Sequence, residues 1–214
     1  MNEFIVIGYF TRNTFYEDYA QTLVKSLNKY NVPYHIEGIE NLGDWYKNVN
    51  YKPTFIKRMM NKFPDVNIVY VDCDAEFLGY PKLFEKIESN IAVHLFDKSH
   101  FNKKFEGFEV LSGTIFLRNT DETYKLVEKW EEQCKRKPRQ WDQKSLEQIL
   151  NGVFYNLPEE YCKIYNVRYG TKNPIIIHMQ ASRRVRKQKG RILKSELREP
   201  LPQVLSKSTP LPKH

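Results

Sequence analysis

Short apolar runs and helical stripes alternate along the first half of the chain. Phe4 to Tyr9 is an apolar run that reads as a buried strand. Thr14 to Asn28 follows, with Phe15, Tyr19, Leu23, Val24 and Leu27 along one helical face and Thr14 and Glu17 at capping-box spacing. Tyr34 to Ile39 predicts a second strand. Pro53 opens a helix through Phe63 whose apolar face is Phe55, Ile56, Met59, Met60 and Phe63. Ile68 to Asp72 is the next strand, Pro81 to Ser89 a short helix, and Ile91 to Leu95 a strand again. Later, Val110 to Phe116 predicts a strand interrupted by Ser112-Gly113, Thr120 caps a helix to about Cys134, and Trp141 to Leu150 is helical. Phe154 to Leu157 and Ile175 to His178 are short late strands. This order predicts an α/β fold with a mixed, mostly parallel central sheet flanked by helices.

Within that frame, Asp72-Cys73-Asp74 stands directly after the apolar run Ile68 to Val71. Two carboxylates at i and i+2 of an extended segment point the same way and can reach one cation. Carboxylate oxygens suit Mg²⁺ or Mn²⁺, which are held by one or two carboxylates together with the phosphates of a substrate. Ligands of open α/β sheets bind at the carboxyl ends of strands. Chemistry and position both predict a metal–diphosphate site. The plainer alternative is a solvated turn, a common fate of this tripeptide.

Charge changes the picture at one end only. The 214 residues carry a net charge of +8, and residues 181–214 hold ten Lys/Arg against two Asp/Glu, so the remainder is neutral. Two units are expected: a catalytic domain over residues 1–182 and a basic, partly flexible tail over 183–214, with Pro/Ser/Lys-rich sequence from Pro200 to His214. Such a tail attracts polyanions, either nucleic acid or an anionic membrane surface, or is simply solvated. No apolar stretch approaches the roughly 20 residues needed to span a bilayer, and Met1 to Ile7 runs into a strand without the pattern of a signal peptide. Cys73, Cys134 and Cys162 have neither metal spacing nor even pairing and fit free thiols in a reducing cytoplasm.

Several ordered segments resemble the GT-A fold glycosyltransferases, most closely the small nucleotide-diphospho-sugar transferases of the glycosyltransferase 8 and 77 groups. They are Gly8-Tyr9-Phe10-Thr11, Lys52-Pro53-Thr54-Phe55-Ile56, Val69 to Leu78 around the Asp-x-Asp, Leu111 to Thr120 around Ser112-Gly113, Trp141-Asp142-Gln143, Leu157-Pro158 and Ile176-Ile177-His178. The resemblance covers about residues 4–185 and implies a Rossmann-like GT-A sheet. It also implies a nucleotide-sugar donor, with UDP the expected nucleotide, and a retaining transfer. Asp72, Asp74 and His178 are the implied ligands of Mn²⁺ or Mg²⁺. Arg183, weakly preferred over Arg184, and Lys52 are implied phosphate contacts, and Arg12 a nucleotide contact. Tyr9, Thr11, Ser112, Gly113 and Gln143 complete the expected donor site, Gly113 where the backbone approaches the sugar closely. Asp142 and Asp97 are the expected catalytic carboxylates, touching sugar or acceptor hydroxyls. Asp142 could equally cap its helix and Asp97 be an ordinary loop acid. Among Tyr9, Phe10, Trp45 and Trp141, which could stack on base or sugar or belong to the core, Tyr9 is singled out. Cys73, between the two acids, is expected to point away from the metal.

The acceptor expected by default is a bacterial surface or lipid-linked saccharide, with a base of modified phage DNA as the other candidate because the tail would supply phosphate contacts. With no stretch resembling the transmembrane anchor of Golgi relatives, a bacterial or viral cytoplasmic enzyme is expected. Two other classes compete: a phosphatase or nuclease using Asp72, and a non-enzymatic basic module. An aspartate-nucleophile phosphatase would carry its Asp-x-Asp near the N-terminal strand, with Thr or Val where Glu76 stands. The neutral body and clustered acids disfavour a basic module.

Overall fold

β1 (Phe4–Thr11) is buried along its whole length because both faces of its sheet are covered. Successive side chains of a strand point to opposite faces. Phe4, Val6 and Phe10 therefore enter one core with Val69 and Val71, while Ile5, Ile7 and Tyr9 enter a second with Ile68 and Tyr70. A computed structural model describes residues 3–167, 170–182 and 204–207.

The first core is closed by α1 (Tyr16–Lys29) through Ala20, Leu23 and Leu27, and by Phe84 and Ile87. The second is closed by α3 (Lys52–Lys62), α4 (Asp121–Arg136) and α5 (Asp142–Leu150), through Phe55, Ile56, Met59, Val127, Trp130 and Leu146. The other sheet strands are β2 (Tyr34–Ile39), β3 (Asn67–Val71), β5 (Ile91–Asp97), β6 (Phe108–Leu117), β7 (Tyr155–Asn156) and β10 (Val204–Lys207). The main sheet has the order β10-β2-β1-β3-β6-β5-β7. Five of its strands run the same way, with β6 and β10 opposed. It is the expected mixed, largely parallel sheet flanked by helices. A small second sheet, β4 (Ala75–Phe77), β9 (Ile176–His178) and β8 (Lys163–Ile164), lies just beyond the end of β3.

Some elements differ from the sequence reading, each for a local reason. α1 starts at Tyr16, and its expected capping box is displaced. Glu17 accepts from the Asn13 amide at 2.6 Å and Thr14 Oγ1 accepts from the Tyr16 amide at 3.2 Å. The helix expected from Pro81 is only a 3-10 turn, Lys82–Glu85. Its one buried residue is Phe84, and Ile87 enters the same core two residues beyond its end. β6 runs on through Ser112-Gly113, but its ladder with β5 breaks there as expected, with Val93 paired to Ile115 and His94 to Leu111, and the Gly113 carbonyl accepts from the Asp72 amide at 2.9 Å. Part of the expected flexible tail is ordered, since residues 204–207 form the edge strand β10, antiparallel to β2. Two short elements, α2 (Trp45–Asn50) and β8, had no clear sequence signal.

Candidate active site

The carboxyl ends of β1 and β3, the middle of β6 and the start of α5 surround an open cleft of about 320 Å³. The β3 strand ends at Val71, and Asp72 and Asp74 follow in the turn that leads into β4. Antiparallel pairing of β4 with β9 sets Ala75 opposite His178, so the imidazole arrives beside Asp74. One ligand atom from each of Asp72, Asp74 and His178 lies within 4.8 Å of the others.

Partners of these side chains show what is left over for an ion. His178 Nε2 shares a 2.8 Å hydrogen bond with Thr114 Oγ1. Its Nδ1 is buried with no hydrogen-bond partner and stands 3.6 Å from Asp74 Oδ1. A buried ring nitrogen without a hydrogen bond, beside two carboxylates, is a donor set that fits a divalent cation, and the Thr114 hydroxyl on the opposite nitrogen helps hold the ring in that orientation. Burial alone would lower the His178 pKa, but Asp74 and the sulfur of Cys162 reverse this and lift it to about 10. The pocket thus calls for positive charge at Nδ1, as a proton or as a metal. Burial pushes Asp74 upward, yet the His178 ring and the Ala181 amide, which donates to Oδ2 at 2.7 Å, hold it below the ordinary carboxylate value. Asp72 is raised, by burial and by the neighbouring Asp74 and Asp142, against the pull of Lys52. Cys73, between Asp72 and Asp74, packs into the first core and also borders the cleft.

Lys52, at the start of α3, is only 3% exposed. Its Nζ lies 3.0 Å from Asp72 Oδ1 and 2.8 Å from Asp142 Oδ2 and donates to the Ser112 carbonyl and hydroxyl, both at 3.1 Å. The two carboxylates hold the ammonium pKa above its ordinary value despite burial. Ser112 Oγ also donates to Asp142 Oδ2, at 2.8 Å. Asp142 is the first helical residue of α5, and its carboxylate is bound to Lys52 and Ser112 rather than to the helix start. Gln143 accepts from the Ser112 amide at 3.3 Å and donates to Glu109 at 2.7 Å.

The structure brings together Asp72, Asp74, His178, Lys52, Ser112, Gly113, Asp142, Gln143, Tyr9 and Thr11, all lining the cleft. Their parts differ in places from expectation. Lys52 is not a free phosphate contact but is enclosed by Asp72 and Asp142. Gly113 makes room for His178, because a Cβ there would sit 3.1 Å from the imidazole Cε1. Tyr9 packs edge-on to Tyr51 and donates its hydroxyl to the Asn48 carbonyl at 2.7 Å, forming floor rather than a free stacking surface. Thr11 shares a 3.2 Å hydroxyl contact with Thr14. Two expected residues do not line the cleft. Arg12 pairs with Glu40, and Asp97 caps the following turn by accepting from the Ser99 amide at 2.8 Å. Arg183 and Arg184 lie outside the described residues. Sequence reasoning missed Glu109, Tyr16 and Gln180, and set aside Trp45 and Trp141, which also line the cleft. For Trp141 the signal was there, because it directly precedes Asp142-Gln143.

The family model for nucleotide-diphospho-sugar transferases matches residues 43–189. No curated protein sequence matches the chain. Among solved structures, the chain is similar to a glycosyltransferase involved in glycosylation of the major capsid of PBCV-1, with TM-score 0.65 and 15% identity over 87% of this chain and 98% of that one. It is also similar to mouse xyloside xylosyltransferase 1, with TM-score 0.56 and 13% identity, covering 84% of this chain and 98% of that one. The glycosyltransferase GlyE of Streptococcus pneumoniae TIGR4 aligns with TM-score 0.57 and 15% identity over 83% of this chain, which spans 54% of GlyE.

Proposed function

The chain belongs to the nucleotide-diphospho-sugar transferase family and is a glycosyltransferase of the GT-A fold, and on that premise we propose a divalent-cation-dependent enzyme with a UDP-sugar donor. The observation that carries this reading is the cluster of Asp72, Asp74 and His178, with Nδ1 of the histidine buried without a hydrogen bond and 3.6 Å from Asp74. Asp72 and Asp74 supply oxygens and His178 a nitrogen, a set suited to Mn²⁺ or Mg²⁺. Bound there, the cation would neutralise charge that builds on the diphosphate leaving group. The UDP assignment and retention of configuration rest on the resemblance to the 8 and 77 groups.

The remaining residues position the sugar. Lys52 holds Asp72 and Asp142 at a fixed separation, so the donor end and the transfer end of the cleft form one rigid unit. Asp142 uses Oδ2 for Lys52 and Ser112, which leaves Oδ1 to accept a sugar hydroxyl. In the transfer, the bond from the anomeric carbon to the β-phosphate oxygen breaks with the electron pair on that oxygen. The new bond forms to an acceptor hydroxyl, whose proton the departing diphosphate takes.

Three buried free thiols support a reducing cytoplasmic setting. Among the described residues no helix is long and apolar enough to cross a membrane. Contact of residues 183–214 with an anionic surface rests on their charge alone.

Calorimetric titration of UDP, with and without Mn²⁺, tests the reading on wild type and Asp74→Ala. Mn²⁺-dependent binding that vanishes in the variant, with its fold retained by circular dichroism, is the expected outcome. Equal binding with and without metal, or full binding by Asp74→Ala, removes the metal–diphosphate site.

A further inference from the structure

We infer that the acceptor is an uncharged saccharide whose ring packs on Trp141 and Trp45 at the mouth of the cleft. This rests on the donor reading above and deepens it by naming the acceptor class. Trp141 is 44% exposed and lines the cleft together with Trp45, so an indole face is open to whatever enters. Trp45 lies edge-to-face with it at 6.2 Å between ring centroids and 75° between planes. The pair is held on both sides. Asn50, at the end of α2, donates to the carbonyls of Pro138 and Gln140 at 3.2 and 3.0 Å, tying α2 to the segment that leads into Trp141. The indoles are thus carried on a rigid support.

The polar groups beside them have the character a sugar needs. Trp141 immediately precedes Asp142 and Gln143, and Gln143 is bonded to Glu109 at 2.7 Å. Carboxylates and a carboxamide suit hydroxyls at the rim of a pyranose. The ring's C–H face, with its slightly positive hydrogens, packs on the negative face of an aromatic system.

The charge of the described residues argues against a nucleic-acid acceptor in this cleft. Among the described residues its lining holds four carboxylates, Asp72, Asp74, Glu109 and Asp142, and one Lys or Arg, Lys52, already enclosed by two of them. Binding DNA requires cations along the phosphate path, and this wall offers acids instead. A charged saccharide such as a uronic acid would meet repulsion at Glu109, whose partner Gln143 is neutral.

Saturation-transfer NMR on the full chain with UDP and Mn²⁺ tests the inference. The probes are the methyl glycosides of glucose, galactose and N-acetylglucosamine, a methyl glucuronide, and a short DNA duplex containing hydroxymethylated cytosine. At least one neutral glycoside is expected to receive saturation on its ring C–H protons. Its dissociation constant is expected to rise about tenfold in W141A and to recover partly in W141Y. Thermal melting of W141A checks that the fold persists. The inference falls if no neutral glycoside binds, if W141A binds as wild type does, or if the duplex or the glucuronide displaces the neutral glycosides. It falls too if W141A loses UDP instead, because the indoles then belong to the donor base. UDP–Mn²⁺ calorimetry on wild type reports separately on the donor reading: its failure with glycoside binding intact removes that reading alone.

Discussion

Lys52 joins the two acidic ends of the cleft, and its enclosure carries a measurable consequence. An ammonium almost removed from water is tolerated only because Asp72, Asp142 and Ser112 surround it. Lys52→Met would leave Asp142, also nearly buried, without its countercharge. Urea unfolding at pH 7 should show a loss of about 3 kcal/mol, since removing one partner of a buried pair strands the other. Lys52→Met combined with Asp142→Asn should recover part of that loss, because the stranded charge is gone. A single variant as stable as wild type would mean that the pair contributes nothing. Residues in this network were legible as types and as spacing, but not as partners. Asp72 and Asp74 announce themselves by following an apolar strand. Arg12 and Asp97 look equally promising in sequence, and only the fold reveals that Glu40 and the Ser99 amide engage them.

Between elements, the α3–α4 contact depends on one acid. Glu131 of α4 accepts from Thr54 Oγ1 at 2.6 Å and Lys57 Nζ at 2.8 Å, both on α3, and Lys135 Nζ lies 3.3 Å away. Burial raises its pKa, but these donors outweigh that and bring it from 4.5 to about 2. A carboxyl depressed in the folded state stabilises fully above its unfolded pKa and ceases to do so as pH falls from about 4.5 through about 2. Glu131→Gln should therefore cost about 2 kcal/mol near neutral pH, with the gap to wild type closing as the pH falls below 4.5. Denaturation of both proteins at pH 7 and pH 3 checks this, and a gap that does not change with pH contradicts it. The helices making this contact were readable from their apolar stripes, since Phe55, Ile56 and Met59 recur at helical spacing. β4 and β9 were harder to read because they pair across about a hundred residues and are three residues each. The placement of His178 against Asp74 is a product of that long-range pairing, and here it took a family resemblance to anticipate it.

At the scale of the molecule, the sheet's exposed margin lies at β2, and β10 covers it. Leu205 pairs with Ile36 and Lys207 with Tyr34, and Lys207 Nζ donates to Asn31 at 3.2 Å. Composition marks residues 200–214 as a tail rich in Pro, Ser and Lys, and nothing local distinguishes the four that become a strand, because their partner edge is distant in sequence. A chain ending at Gln203 would leave the outer N–H and C=O groups of β2 unpaired, a template for pairing with another copy. Such a chain should melt several degrees lower, as a loss of about 1–2 kcal/mol does for a domain of this size, and should self-associate in light scattering as concentration rises. The cleft sits at the opposite, carboxyl ends of β1 and β3, whereas β10 pairs with residues 34–37 in the first part of β2. UDP–Mn²⁺ binding by the truncated chain should accordingly survive wherever it remains monomeric. A truncated chain that stays monomeric and melts with the full-length protein would show that β10 protects nothing. One that loses UDP binding while monomeric would show instead that the edge of the sheet and the cleft are coupled.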